Sequence, residues 1–247
     1  MDNSGFVLLS HSQALRRRMD VVANNMANLS TVGFKAERPV FHEFVERADS
    51  ALVDDAKETS FVLDFRAIHD MSDGAFQPTG NPLDVMIEGP GYLGVELPNG
   101  DTAYTRAGFV HVLENGDLAT PGGQPLLDEA GQRINVPPEQ SAQLSIAADG
   151  SVMAGEDVVG RLAVTVFDDE TNLTPRGDNT YAGALGRVLG AEETKLRSGG
   201  VEGSNVQAIR ETTNMIEIQR AYQTGINMTE SVGEMRKRAI DRLGRVG

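Results

Sequence analysis

The two ends of this 247-residue chain carry apolar stripes spaced for helices that must pack against something else. Leu8, Ser12, Leu15, Met19, Val22, Met26 and Leu29 step by 4, 3, 4, 3, 4 and 3, a heptad seam with one polar member at Ser12. A helix over about Ser4–Leu29 would be about 40 Å long at the standard rise. Its remaining face is polar, so the stripe needs a partner. The other end offers one. From about Asn205 to Leu243 there is no proline, and Met215, Ile218, Tyr222, Gly225, Met228, Val232, Met235 and Ala239 step by 3, 4, 3, 3, 4, 3 and 4. Val206, Ile209, Thr213 and Ile216 form a second apolar set over the start of this helix. Ser204–Asn205 is the expected N-cap. Gly225 and Gly233 are expected weak points, each costing up to about 1 kcal/mol relative to Ala.

Between the ends the texture changes to short β-type runs separated by turn chemistry. Leu83–Glu88 and Tyr92–Leu97 flank Gly89–Pro90–Gly91, and Pro98–Asn99–Gly100–Asp101 leads into Ala103–Arg106. Phe109–Leu113 and Asp117–Thr120 flank an Asn-Gly hairpin signal at Glu114–Asn115–Gly116. Gln143–Ala147 and Ser151–Ala154 flank a similar turn at Ala148–Asp149–Gly150, and Arg161–Phe167 reads as one strong alternating strand. No helix-length crossover separates these runs, which predicts antiparallel pairing. The fold class expected is therefore α+β: a discontinuous terminal-helix (coiled-coil) domain with an inserted, mostly antiparallel all-β domain. The expected divisions are residues 1–35 for the first helix, 36–77 for an irregular acidic connector arm with scattered Phe41, Phe44, Phe61, Phe65 and Ile68, and 78–170 for the β domain. Residues 171–203 form a second connector or a continuation of the β domain, and 204–247 form the last helix.

Composition narrows the function. Acidic residues outnumber basic ones 36 to 22, a net charge of −14, which argues against a phosphate-binding surface. The two basic clusters, Arg16–Arg17–Arg18 and Arg236–Lys237–Arg238, read as solvated helix faces. The absence of cysteine excludes disulfides, thiolate metal sites and a Cys nucleophile. No apolar run approaches the roughly 20 residues a spanning helix needs, so direct membrane insertion is not expected. Asp2 precedes the short run Phe6–Leu9 and the arginines follow it, the reverse of a cleavable signal peptide.

Candidate chemistry is sparse. Gly89–Pro90–Gly91–Tyr92–Leu93–Gly94 spells G-x-G-x-x-G, but strand and turn residues follow it where a dinucleotide site needs a helix. Asp168–Asn179 fails as a calcium loop because Leu173 stands at its sixth position and Asn179 at its twelfth. His11, His42, His69 and His111 are dispersed, and no G-x-S-x-G elbow occurs. No catalytic, cofactor-binding or metal-binding residues and no cofactor are expected.

Several motifs carry a resemblance. Ala23–Asn24–Asn25–Met26–Ala27–Asn28–Leu29–Ser30–Thr31–Val32–Gly33–Phe34–Lys35 resembles the ANNxANxxTxGFK segment of bacterial flagellar rod and hook proteins. Glu202–Gly203–Ser204–Asn205–Val206 and Met215–Ile216–Glu217–Ile218–Gln219–Arg220–Ala221–Tyr222 are similar to that family's SNV and MIxxQRAY signatures. In the middle, Pro82–Tyr92 and Tyr104–Thr105–Arg106–Ala107–Gly108 resemble its DVxIxGxGFF and YTRxG elements. The motifs span nearly the whole chain in the family's order. The short chain with a single modest β domain is most similar to the proximal-rod branch; a distal-rod or hook-type subunit is the alternative.

The resemblance implies a non-enzymatic structural subunit that assembles with copies of itself and other rod subunits into a hollow, torque-transmitting tube. It further implies passage through the flagellar type III export apparatus, without a cleaved leader, into a rod crossing the periplasm. The assembly surface would be carried by Leu8, Leu15, Met19, Val22, Asn24, Asn25, Met26, Asn28, Leu29, Gly33 and Phe34, and by Ser204, Asn205, Val206, Met215, Ile218, Gln219, Arg220, Tyr222, Val232 and Met235. Asn24, Asn25 and Asn28 are expected to make inter-subunit or end-of-helix hydrogen bonds, with Gly33 turning the chain outward. A β-rich enzyme would need a convergent polar cluster that the sequence does not offer, and the Asn-rich and QRAY segments argue against an adhesin or phage-tail module.

Overall fold

A computed structural model describes residues 4–47, 58–137, 143–168, 173–183 and 186–244, with the backbone alone described at Ser4, 41–47 and 58–66. The first helix, α1, runs Ser4–Ala27, and the last, α2, runs Ala208–Leu243. Between them lie β1 (Glu37–Arg47), β2 (Glu58–His69), β3 (Phe76–Pro78), β4 (Val85–Ile87), β5 (Tyr92–Glu96), β6 (Thr102–Thr105), β7 (His111–Val112), β8 (Leu118–Ala119) and β9 (Leu144–Ile146). They continue with β10 (Ser151–Ala154), β11 (Asp157–Arg161), β12 (Val164–Val166), β13 (Thr174–Pro175), β14 (Thr180–Ala182), β15 (Arg187–Val188), β16 (Leu196–Ser198) and β17 (Gly200–Glu202). The chain divides into a helical unit, residues 1–27, 37–68 and 207–247, and a β unit, residues 28–36 and 69–206.

In the helical unit α1 and α2 run antiparallel: Gly5 lies beside Arg236, Ser12 beside Gly225, and Leu15 and Val22 against Ile218. β1 and β2 pair as a two-stranded sheet. This differs from the irregular arm expected over 36–77. Among its acidic residues this stretch carries a high density of Val, Phe, Thr and Ile, the residues that favour extended backbone. Ile68 is half-buried, whereas the side chains of Phe41, Phe44, Phe61 and Phe65 lie outside the described residues.

The β unit is built on a six-stranded sheet in the order β13-β14-β6-β5-β12-β15 and a three-stranded sheet β11-β10-β9. Three further pairs, β16-β4, β17-β3 and β7-β8, complete it, and these too are antiparallel. β13 to β17 all lie within 171–203, so that stretch is woven into the β unit, as is β3. Alternation along β5 sends Leu93 and Val95 into the main core with Val85, Leu118, Leu126, Val136, Val152 and Val164. The neighbouring Tyr92 joins Tyr104, Tyr181 and Leu173 in a second cluster, where Tyr104 meets Phe167 edge-on at 4.8 Å. Three of the four tyrosines in this aromatic-poor chain are thus concentrated at one place.

Arg161–Phe167 is not one strand. β11 pairs with β10, β12 pairs with β5, and the chain changes sheets at Leu162–Ala163, where Leu162 N–H donates to Gly150 and Ala163 N–H to Leu127. Leu162, Ala163 and Val164 are consecutively buried, a break in alternation that marks the crossing. Gly89 and Gly91 form a tight turn between β4 and β5 at φ 89° and 145°. A β-carbon at Gly91 would stand 2.7 Å from Val164 Cγ1. The glycines serve chain packing at this turn.

Candidate assembly surface

The helix pair is held by a narrow seam. Leu15, Val22 and Ile218 are its fully buried members, with Met19, Met26, Met215 and Ala221 packed against them. Leu8 and Ser12 are half-buried, and Ser12 Oγ donates to the Leu8 carbonyl at 2.9 Å. On α2 Glu211, Ile218 and Gly225 are buried and Val232 is half-buried, a line with a strict heptad repeat in which Ile218 and Gly225 meet α1. A β-carbon at Gly225 would stand 3.8 Å from Ser12 Oγ, an ordinary van der Waals distance, so the space beside this glycine admits alanine.

Tyr222, Met228 and Met235 fall outside this line and are 40, 55 and 58% exposed. An ideal helix drifts about 20° per heptad from a 3.5-residue repeat, so a single straight partner cannot cover the whole stripe read from sequence. Ile209, Ile216, Gln219 and Arg220 are also exposed. Phe6 and Leu9 on α1, with Ile209, Ile216, Met228 and Met235 on α2, leave substantial apolar surface on the pair. Ile240 and Leu243 extend that surface to the end of α2.

The Asn-rich segment is engaged within the chain. Asn25 is 1% exposed; its Nδ2 donates to the Glu37 carbonyl at 2.9 Å and its Oδ1 accepts from Glu37 N–H at 2.8 Å. Its amide thus pairs with the backbone at the start of β1 as a neighbouring strand would. Asn24 is exposed, and Asn28 Oδ1 accepts from Thr31 Oγ at 3.1 Å. Leu29 and Phe34 are half-buried. Gly33 has φ 69°, and a β-carbon there would stand 2.5 Å from the Arg106 carbonyl carbon, so both conformation and space require glycine. Asn179, itself at φ 60°, donates through Nδ2 to the Val32 carbonyl at 2.7 Å and holds this turn.

Ser204 and Asn205 do not cap α2. The capping position is Gln207, without a side-chain cap bond. Ser204 Oγ accepts from Val206 N–H at 3.3 Å, and Val206 is half-buried. Asn205 Oδ1 accepts from Ala36 N–H at 2.7 Å, while its Nδ2 donates to the carbonyls of Asp70 and Ser72 at 2.7 and 2.9 Å. Local capping chemistry lost to partners more than a hundred residues away.

Beside Asn205 lies a buried ionic cluster whose members lie in separate sequence motifs, with no local signal that joins them. The Glu202 carboxylate accepts from Lys35 Nζ at 2.7 Å, Gly74 N–H at 2.7 Å and Arg106 Nε at 2.9 Å. Lys35 also donates to the Ser72 carbonyl at 2.8 Å, and Arg106 to Gly91 O at 2.8 Å and Asp73 Oδ1 at 3.1 Å. Burial pushes the Glu202 carboxyl up, but the Arg106 charge, the Gly74 N–H and Lys35 together bring it below its ordinary value. Burial, reinforced by the Arg106 charge, lowers the Lys35 ammonium despite its contact with Glu202. Two buried cations therefore share one buried carboxylate, with the half-exposed Asp73 restoring neutrality.

Residues 9–35 match the family described as flagella basal body rod protein, 86–154 the flagellar hook protein FlgE/F/G D1 domain, and 197–242 the flagellar basal body rod FlgEFG protein C-terminal family. The flagellar basal-body rod protein FlgF of Caulobacter vibrioides is 35% identical over 100% of both chains. This chain belongs to the flagellar basal-body rod protein family. FlgF of Mesorhizobium japonicum is 31% identical over 99% of both chains, and FlgG of Buchnera aphidicola is 33% identical over 83% of this chain and 86% of its own. As a rod-family protein it is a structural subunit and not an enzyme. Among the described residues no group of His, Asp and Glu could hold a metal, and no helix is long and apolar enough to cross a membrane. The N-terminal rod-family match covers most of α1 and the turn that ends at Lys35; the C-terminal match covers β17, Asn205 and nearly all of α2.

Proposed function

We propose that this chain is a subunit of the proximal part of the flagellar rod, joining copies of itself and other rod proteins in a hollow helical tube that transmits torque. The observation that carries the reading is the apolar surface left on the paired helices, with Met228 and Met235 one heptad apart and more than half exposed. A surface of this kind that meets a different patch on the next copy makes a heterologous interface, and such interfaces generate open helical assemblies unless the rotation closes. Full-length alignment with the FlgF proteins of two organisms supports the proximal assignment. Delivery by the flagellar type III apparatus with the N-terminus retained, to a rod crossing the periplasm, belongs to the same reading.

The decisive experiment is complementation of a strain lacking its proximal rod protein. The wild-type chain should restore swimming, whereas Met228→Glu/Met235→Glu should not, although its helical content and melting in dilute solution should be unchanged. Normal swimming by the double variant would remove the proposed surface. Failure of the wild-type chain where it rescues a strain lacking the distal rod protein would move the assignment to the distal rod.

A further inference from the structure

The chain leaves the β unit after Ala36, enters it at His69 and leaves it again after Val206. Near these passages Phe34–Ala36, Asp70–Ala75 and Gly203–Val206 have neither helix nor strand backbone. Their order has to come from side chains. We infer that Glu202, with Lys35, Arg106 and Asn205, forms a lock within the β unit that makes these three passages order and loosen together, with Glu202 as its central positioning residue.

The bonding supports coupling because each member reaches a different segment. One Glu202 oxygen takes Lys35 from the first segment and Gly74 N–H from the second, and the other takes Arg106 Nε. The backbone carbonyl of Glu202 accepts from Gly33 N–H at 2.8 Å. Lys35 bridges onward to Ser72, and Asp70 N–H donates to the Ala36 carbonyl at 2.7 Å. Asn205 closes the circuit, bonded to Ala36 in the first segment and to Asp70 and Ser72 in the second. Arg106 fastens the whole to the β core through the carbonyls of Gly91 and Ile87. The Lys35, Arg106 and Glu202 side chains are at most 1% exposed, so water cannot replace a lost partner without local opening.

A near-isosteric change tests this. Glu202→Gln keeps the size but brings an amide NH₂ against donors and leaves two buried cations without their carboxylate. Hydrogen exchange of the full chain, read by mass spectrometry, should show peptides spanning 33–36, 70–75 and 203–206 all accelerating, by about tenfold or more, while the 144–154 hairpin stays within about twofold of wild type. Acceleration confined to 203–206, or no acceleration, would overturn the lock. If Glu202→Gln unfolds the β unit, visible as full exchange at 144–154, Lys35→Met decides. Acceleration at both 70–75 and 203–206 with a protected hairpin supports coupling; a change restricted to 33–36 refutes it. The lock is internal to one chain, and its test needs no assembled rod.

Discussion

Ile218→Ala should separate the stability of the helix pair from that of the β unit. Ile218 is 2% exposed and packs between Leu15 and Val22, the other two fully buried apolar residues of the seam. Losing three buried carbons at about 0.8 kcal/mol each removes about 2.4 kcal/mol of transfer free energy. The unfilled cavity raises the cost to about 3–4 kcal/mol, within the usual span for Ile→Ala. The better helix propensity of Ala returns roughly 0.5 kcal/mol. A net loss of about 3 kcal/mol is large for a seam with three such residues. The two units can be given different optical reporters. The helical far-UV band comes mainly from α1 and α2, whereas in a Tyr222→Phe background Tyr92, Tyr104 and Tyr181 give the β unit a near-UV signal uncomplicated by tryptophan. In denaturant, the helical transition of Ile218→Ala should move to much lower concentration while the tyrosine transition stays in place. Ile216→Ala, at a position 45% exposed, should change the helical transition by less than about 0.5 kcal/mol. Equal effects of the two substitutions, or joint movement of both transitions in Ile218→Ala, would refute the reasoning.

Acid should weaken the β unit through Glu202. Its folded pKa lies below its unfolded value, so its stabilisation is full above the ordinary carboxylate range and disappears as pH falls through the folded value. Denaturant titrations of the tyrosine signal should therefore fall more steeply with acidification in wild type than in Glu202→Gln; parallel slopes would contradict the assignment. Gly33→Ala should cost more than about 2 kcal/mol, combining the left-handed penalty with a β-carbon 2.5 Å from the Arg106 carbonyl carbon. Gly80→Ala, at φ 78° but with open space around it, should cost only about 1–2 kcal/mol in the same denaturant assay. Asn25→Asp keeps an acceptor for Glu37 N–H but sets a carboxylate against the Glu37 carbonyl, and should lower the helical transition by about 1–3 kcal/mol.

What was legible in the sequence followed from periodicity and turn chemistry. α1 and the end of α2 lie where the stripes put them, and the hairpin β7–β8 straddles Asn115–Gly116 as the Asn-Gly signal requires. These features depend on residues within a few positions of one another. The seam was legible only in part. Leu15, Val22 and Ile218 were in the stripes, but which of Tyr222, Gly225, Met228 and Val232 faces α1 depends on the drift of a straight helix. The ionic lock was not legible at all as a group. Lys35 and Glu202 are 167 positions apart, and nothing in their local sequence distinguishes a buried charge from a solvated one. Their presence inside family motifs is the one signal the sequence carries, and a motif does not distinguish a folding role from an assembly role.

Asn25 and Asn205 show why those motifs serve folding as well. One of the boundaries between the two units falls between Ala36 and Glu37, and each of these residues is bonded by an asparagine of its own unit. Asn205 accepts from Ala36 N–H and donates to Asp70 and Ser72; Asn25 exchanges both hydrogen bonds with Glu37. A side-chain amide offers a donor and an acceptor in one plane, as a peptide group does. Asp lacks the donor, Ser cannot present both at that separation, and Gln adds a carbon that displaces the amide. Backbone passing from the turn after α1 into the first residue of β1 has unpaired polar groups, and such a side chain substitutes for a strand neighbour. Asparagine at each position therefore serves the backbone of its own unit. The surface proposed for contact with other rod subunits lies elsewhere, on the exposed faces of α1 and α2, which carry the unburied Phe6, Leu9, Met228 and Met235.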